Sequence, residues 1–112
     1  MHVDTSNLDM LKDIIGDELK DVLNIYIETT PDIIMKIQEA IATQSVSSVQ
    51  LQAHTLKGSA ANIGANQLSA MSAEMEQKAK QSDMDGLPEL LSKIETESKA
   101  VDLALADYIK TF

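Results

Sequence analysis

Apolar residues recur along the chain at the three- and four-residue spacing that places side chains on one face of an α-helix. The most regular run has steps of 3, 4, 3, 4 and 3 residues, the pattern of a seam against a neighbouring helix. Similar stripes lie before and after this run, and no alternating strand pattern of convincing length separates them. The pattern therefore predicts a chain of packed helices. The residues of the central seam are Val46, Val49, Ala53, Leu56, Ala60 and Ile63.

Glycine and proline mark the expected ends of the first two helices. A short helix over residues 8–15 should have Ser6 or Asn7 as its N-cap and should stop at Gly16. The second helix should begin directly after this glycine. Its apolar stripe stays in phase beyond Pro31, so we expect the proline to kink the helix and not to divide it. The stripe consists of Leu19, Val22, Leu23, Tyr26, Ile27, Ile33, Ile34, Ile37 and Ile41.

The remaining breaks define three more helices. Residues 44–45 interrupt the apolar pattern before the central seam, and Gly64 should end the helix that carries this seam. The next stripe fades at residues 81–83, and the pair at 85–86, Asp-Gly, indicates a turn. Pro88 fits the first turn of the last helix, because the first helical positions need no N–H donor.

The predicted fold class is all-α, an antiparallel four-helix bundle with a short extra N-terminal helix. The 112 residues are the length of one ordinary domain, so we expect residues 1–112 to form a single helical bundle domain. Apolar residues make up 44% of the chain, but only 3% of it is aromatic. A core of Leu, Ile, Val, Met and Ala suits helix packing better than a β-sandwich.

The charge of the chain narrows the classes of partner. Nine lysines face eighteen acidic residues, which gives a net charge of −9. Nucleic-acid binding needs clusters of basic residues, and an anionic membrane would repel this chain, so neither is an expected partner. The absence of cysteine excludes disulfides and cysteine-based zinc sites. The N-terminus has no visible secretory signal, and no apolar run approaches the roughly 20 residues that span a bilayer, so a cytoplasmic location is expected.

One face of the central helix combines a histidine, a lysine and a glycine. Lys57 and Gly58 lie three and four residues after His54, so all three positions share this face. His54 should be exposed, since it follows a seam residue by one position, about 100° around the helix. Glycine inside a helix costs about 1 kcal/mol relative to alanine, a cost that a bulky partner approaching the imidazole would explain. A neutral nucleophile, a cation and a cleared position together suggest phosphoryl relay.

The stretch at residues 53–64, AHTLKGSAANIG, resembles the signature of histidine-containing phosphotransfer (HPt) domains, the intermediate carriers of bacterial and fungal phosphorelays. The looser helical pattern of the family extends over residues 8–110, so the resemblance covers nearly the whole chain. It implies a histidine phosphocarrier in a multistep two-component phosphorelay, in which His54 accepts and donates the phosphoryl group. Lys57 is expected to hold the phosphoryl oxygens by its charge.

The resemblance also implies the partners. They are the receiver domains of response regulators, whose aspartate exchanges the phosphoryl group with His54, and hybrid sensor kinases. Mg²⁺ is expected in the acidic pocket of the receiver, so this chain itself should need no cofactor and no metal. We expect the chain to be a monomer.

The face around His54 is mostly small or neutral, which is typical of a docking surface and not of a purely solvated helix face. We expect Gln50, Leu51, Gly58 and Ala61 to contact the partner.

Two residues of the following helix, Glu76 and Lys80, are candidates for orienting the imidazole, because the family often has a polar side chain in this region. Many relatives have glutamine where Glu76 aligns, so the alternative of two solvated helix residues stays open. The second histidine of the chain, His2, is expected to be a disordered terminal residue.

Missing motifs limit the chemistry of the chain. There is no GxxxxGK[ST] loop to hold ATP, and a single histidine in the expected folded body is too few for a di-iron bundle or for a hydrolase with a histidine base. We therefore expect a phosphoryl carrier and not an enzyme. One alternative is an HPt-like module that docks on a receiver and regulates it without net relay. Another is a phosphatase of receiver aspartyl phosphate, in which Gln50 would orient the attacking water.

Overall fold

The computed structural model describes residues 2–112, and most of them lie in five α-helices. Within this range there is no β-strand, which confirms the all-α fold class. Four of the helices are long and the first is short, as the apolar pattern predicts. The helices are α1 (Thr5–Ile15), α2 (Glu18–Ala42), α3 (Val46–Asn62), α4 (Asn66–Lys80) and α5 (Leu87–Ile109).

The four long helices enclose one apolar core. Helix α3 packs against α2 and α4, and α5 packs against α4 and α2, so each long helix has two long neighbours. The short helix α1 packs against α2. Aliphatic side chains fill the interior, in agreement with the small aromatic content of the chain. The largest fully buried side chains are those of Leu8, Leu19, Leu23, Ile37, Leu56, Leu68, Met75, Leu87, Ile94, Leu105, Val49 and Val101.

Helix α2 continues through Pro31 without a break, so the expectation of one undivided helix is confirmed. The predicted stripe of this helix is wrong at Val22, which is 44% exposed. The neighbouring residue of the predicted stripe, Leu23, is fully buried in the core. The two positions are only about 100° apart on the helix, so periodicity alone does not decide between them.

The start of α1 differs from the prediction. The helix begins at Thr5, and its N-cap is Asp4 and not Ser6 or Asn7. The carboxylate of Asp4 accepts the backbone N–H of Ser6 at 3.0 Å. The backbone N–H of Asp4 donates to the carbonyl of Gly64 at 2.9 Å, and this contact anchors the cap residue to the loop between α3 and α4. Such a distant contact leaves no trace in the local sequence.

Further contacts hold the N-terminal segment against the bundle. Val3 is buried, and Nδ1 of His2 lies 2.8 Å from Oε2 of Glu97 on α5. The expectation that His2 is disordered is therefore wrong. At the far end of α5, the hydroxyl of Tyr108 donates to the carboxylate of Asp9 on α1 at 2.7 Å. Helix α1 is thus tied to the last helix as well as to α2.

Gly64 ends α3, as predicted, and we expect alanine at this position to destabilise the protein. The residue has φ +78°, and a Cβ here would lie 3.1 Å from the carbonyl oxygen of Asp4. Both the left-handed backbone and this contact oppose a side chain, so Gly64→Ala should lower the free energy of unfolding by about 2 kcal/mol in urea titration. Gly86→Ala is the control, since Gly86 has φ +75° but open space around its Cβ position. Equal losses in the two variants would contradict the role of the Asp4 contact.

Candidate functional site

His54 lies in the middle of α3 and points away from the core. The preceding residue, Ala53, is fully buried in the seam, whereas the side chain of His54 is 64% exposed. Its ring is nevertheless held in place, because Nδ1 lies 2.8 Å from Oε2 of Glu76 on α4. The hydroxyl of Ser69 on α4 also donates to the backbone carbonyl of Lys57 at 3.0 Å, which connects the two helices beside the site.

Glu76 is the centre of this site. Only 7% of its side chain is exposed, yet both carboxylate oxygens face potential cations. Nζ of Lys57 donates to Oε1 at 2.6 Å, the ring of His54 contacts Oε2, and Nζ of Lys80 lies 3.8 Å from Oε2. The alternative that Glu76 is a solvated helix residue is therefore wrong. The structure brings His54, Lys57, Glu76 and Lys80 together.

The surroundings of Glu76 keep its carboxylate ionised. The hydrogen bond from Lys57 lowers the pKa of Glu76 most; burial opposes this effect, and the hydrogen bond with His54 adds to it. The pKa therefore lies below its ordinary value despite the burial. A buried carboxylate with charged partners on both oxygens is a stable anion at neutral pH.

The ionised carboxylate decides which nitrogen of His54 carries the proton. A carboxylate can only accept a hydrogen bond, so Nδ1 must be the donor in the contact with Glu76. In the neutral imidazole the other nitrogen, Nε2, then has a free lone pair. No hydrogen bond joins Nε2 to any residue between 2 and 112. The arrangement therefore presents an oriented nitrogen nucleophile on an exposed helix face.

The expected docking residues surround the ring unevenly. Gln50 and Leu51 line the same cleft as His54, and Leu51 is 60% exposed although it is apolar. Gly58 and Ala61 are exposed further along α3 and do not line this cleft. The complete lining of the cleft is Ser47, Gln50, Leu51, His54, Glu76 and Lys80.

Gly58 is not required for the packing of the helices. A Cβ built on this residue meets no atom within 4 Å, apart from the backbone of its own helix. A larger side chain would therefore extend outward from α3 without disturbing the core. The fold therefore does not explain why residue 58 is a glycine.

The charge of α3 differs from that of the chain as a whole. The protein has a net charge of −9, but α3 contains no aspartate or glutamate. Its one charged residue besides the titratable His54 is Lys57. Helix α3 itself therefore adds no negative charge to the surface around His54, and the one acidic residue in the lining of the cleft is the largely buried Glu76 of α4.

Two further features of the described residues concern ligands and membranes. No group of three or more His, Cys, Asp or Glu side chains within residues 2–112 is arranged to hold a metal ion. None of the helices in this range is long and apolar enough to cross a bilayer.

Comparisons with known proteins relate the chain to one family. A sequence model described as the Hpt domain matches residues 21–109. No curated protein matches the sequence. The fold is similar to the crystal structure of histidine-containing phosphotransfer protein B (HptB) from Pseudomonas aeruginosa PAO1, with a TM-score of 0.95 and 22% sequence identity. The similarity covers 99% of this chain and 96% of that chain, and at this identity it concerns the fold alone.

Proposed function

Because the chain belongs to the Hpt domain family and is a histidine phosphocarrier of a phosphorelay, we propose that His54 is the residue that carries the phosphoryl group. The observation that supports this assignment most strongly is the state of the ring. Its Nδ1 is held by Glu76 at 2.8 Å, which leaves Nε2 with a free lone pair on a side chain that is 64% exposed. The other histidine, His2, lies at the N-terminus, outside the matched residues 21–109.

The transfer follows from this geometry. The lone pair on Nε2 attacks the phosphorus of an aspartyl phosphate in the receiver, and the bond between phosphorus and the aspartate oxygen breaks. The aspartate leaves as a carboxylate, and the reverse step returns the phosphoryl group. Since the transition state is loose, alignment and neutralisation of charge supply most of the catalysis. Lys57 and Lys80 are the cations of this chain near the ring, and Glu76 orients it.

The partner that fits this surface is a receiver domain, alone or as part of a hybrid sensor kinase. Hpt domains interact with receiver domains or kinases. We assign the contact to Gln50, Leu51, Gly58 and Ala61 on α3, with the exposed Leu51 as the apolar contact beside the ring. The lack of acidic residues on α3 suits a partner whose own phosphorylation pocket is acidic and binds Mg²⁺. With the metal supplied by the receiver, this chain needs no cofactor.

The same proposal extends to the protein as a whole. Residues 1–112 form a single domain, an antiparallel four-helix bundle with α1 as the short extra helix. The closed ring of contacts among the four long helices and their short connections support this arrangement. The protein acts as a monomeric, cytoplasmic carrier and not as an enzyme. Neither nucleic acid nor a membrane is among its partners, in keeping with its negative charge.

A label chase tests the proposed function against its two alternatives. A receiver domain labelled at its aspartyl phosphate is mixed with this protein, and the label is followed over time. Acid-labile label on this chain would support relay. Release as free phosphate, without label on the chain, would instead indicate a phosphatase that uses Gln50. An unchanged receiver in a stable complex would indicate a docking module without relay.

Lys57→Ala is expected to slow transfer by about tenfold or more, because one of the cations next to the phosphoryl group is lost. Its side chain is only 35% exposed and neutralises the buried Glu76, so we also expect about 1 kcal/mol less stability. Single-turnover transfer and urea unfolding measure the two effects. The control is Lys20→Ala, which removes an exposed lysine at the start of α2. Transfer at the wild-type rate in Lys57→Ala would remove Lys57 from the site.

A further inference from the structure

Glu76 meets the ring of His54 with a full negative charge and not only with a hydrogen-bond acceptor. Each of its oxygens has its own short contact, with Lys57 at 2.6 Å on Oε1 and with His54 at 2.8 Å on Oε2. The side chain of Glu76 is only 7% exposed, whereas that of His54 is 64% exposed, so the charge is held on the inner side of the ring. A glutamine could orient the ring in the same way but would bring no charge. The charge must therefore be considered separately from the orientation.

The charge matters because phosphorylation changes the ring. When Nε2 forms a bond to phosphorus and Nδ1 keeps its proton, the ring becomes cationic. An anion next to a cationic group stabilises its protonated form. When the phosphoryl group leaves, the electron pair of the Nε2–P bond returns to Nε2. With the proton on Nδ1 the leaving group is a neutral imidazole, whereas without it the leaving group is an imidazolate anion, which leaves far less readily.

We propose that the Glu76 carboxylate holds the Nδ1 proton of His54 through the whole transfer cycle, so that the ring can both accept and donate a phosphoryl group without moving a proton. This inference rests on the proposed function of His54. In the accepting step Glu76 balances the positive charge that develops on the ring. In the donating step it keeps the ring protonated, and therefore a good leaving group, at neutral and mildly alkaline pH. Glu76 is therefore a positioning residue, because it keeps the proton on Nδ1 of His54.

Other charged groups near the ring also affect whether Nδ1 of His54 keeps its proton. Lys57 on α3 and Lys80 on α4 both repel a proton on the ring, and Lys57 also keeps Glu76 ionised. The remaining residues that line the cleft beside His54 are the uncharged Ser47, Gln50 and Leu51. The carboxylate is the nearest charged group to Nδ1, at 2.8 Å, so its effect on that nitrogen should prevail.

The test compares Glu76→Gln with the wild-type protein after both are phosphorylated with phosphoramidate, a small donor that needs no partner. Donation to a receiver domain is then measured in single turnovers between pH 6 and pH 8.5. At pH 6 the rates should agree within about threefold, since the phosphorylated ring is protonated in both proteins. At pH 8.5 Glu76→Gln should be slower by about tenfold, because the phosphorylated ring has lost the adjacent negative charge that keeps Nδ1 protonated.

Nitrogen NMR of the phosphorylated ring gives an independent measurement. The wild-type ring should keep its Nδ1 proton to a higher pH than the ring of Glu76→Gln, whose amide can also donate to an unprotonated Nδ1. Glu97→Gln is the matched control, since Glu97 is equally buried and contacts His2 at the same 2.8 Å. It should leave the pH profile of donation unchanged. Glu76→Ala, which loses both the charge and the acceptor, should be slow at every pH.

Different results would overturn this proposal and the proposed function. Identical pH profiles and identical ring titrations in the wild-type protein and Glu76→Gln would overturn the role of the charge, even with phosphohistidine formed at position 54. Failure of the wild-type protein to form phosphohistidine at position 54 would instead overturn the function of His54 itself.

Discussion

The His54→Gln protein is expected to fold like the wild type and to accept no phosphoryl group from a receiver domain. The side chain of His54 is 64% exposed, and glutamine is a better helix former than histidine, so the change should cost less than about 1 kcal/mol of stability. Glutamine has no nitrogen lone pair able to attack phosphorus. Transfer should therefore be lost completely, as measured by acid-labile label on the chain, while circular dichroism and the melting temperature stay close to wild type.

The chain provides its own control for this experiment. His2 has the same contact as His54, with Nδ1 at 2.8 Å from a buried glutamate, and its side chain is 51% exposed. Three and four positions after His2 the chain has threonine and serine, in place of the lysine and glycine that follow His54 at the same spacing. His2→Gln should accordingly keep full labelling by a receiver. Label that persists on His54→Gln and disappears in the double variant would move the phosphorylation site to His2.

Much of the fold could be predicted from the sequence because the governing interactions are local. Helical periodicity depends on residues three and four apart, and it identified the buried seam of α3 from Val49 to Ile63 correctly. Helix ends at Gly16 and Gly64 were also predicted, since these glycines adopt positive φ angles that other residues avoid. Sequence signals of this kind need no knowledge of the tertiary structure.

Two of the errors in the prediction involve distant contacts. Asp4 caps α1 because its backbone N–H reaches Gly64, 60 positions later in the chain. His2 is ordered because it finds Glu97 on α5. Neither partner can be recognised from the residues around Asp4 or His2. A glutamate inside a polar run of a helix, as Glu97 is within residues 95–99, looks like a solvated side chain until the packing of that helix is known.

In the candidate site, too, the features that depend on local spacing were predicted, and the feature that depends on helix packing was not. His54, Lys57 and Gly58 share one helix, so their common face followed from their spacing alone. The position of Glu76 depends on how α4 packs against α3, and the sequence left its role open between an orienting residue and a solvated one. Its burial and its contacts with Lys57 and His54 decide against the solvated alternative. A glutamate between two basic groups on another helix could have been suspected only from the packing.

Gly58→Gln is expected to slow transfer while it leaves the stability of the protein unchanged or raises it. Gly58 is exposed, and a Cβ at this position meets no atom within 4 Å outside its own helix backbone. Glutamine should therefore fit without strain and stabilise α3 by up to about 1 kcal/mol through its better helix propensity. Its side chain would nevertheless extend from the surface one turn beyond His54, where an approaching receiver must come close.

The expected result is a melting temperature no lower than that of the wild type and transfer from a receiver that is slower by at least about tenfold, since a blocked interface loses more than about 1.4 kcal/mol of binding. Phosphorylation by phosphoramidate should proceed at the wild-type rate, because a small donor does not need the space over Gly58. Gly58→Ala is the graded control and should keep most of the transfer, since a methyl group protrudes little. Slow labelling by phosphoramidate in Gly58→Gln would show that the ring of His54 itself is disturbed. An unfolded Gly58→Gln protein would show that the glycine serves the fold, and the proposed docking surface on α3 would then lose its main support.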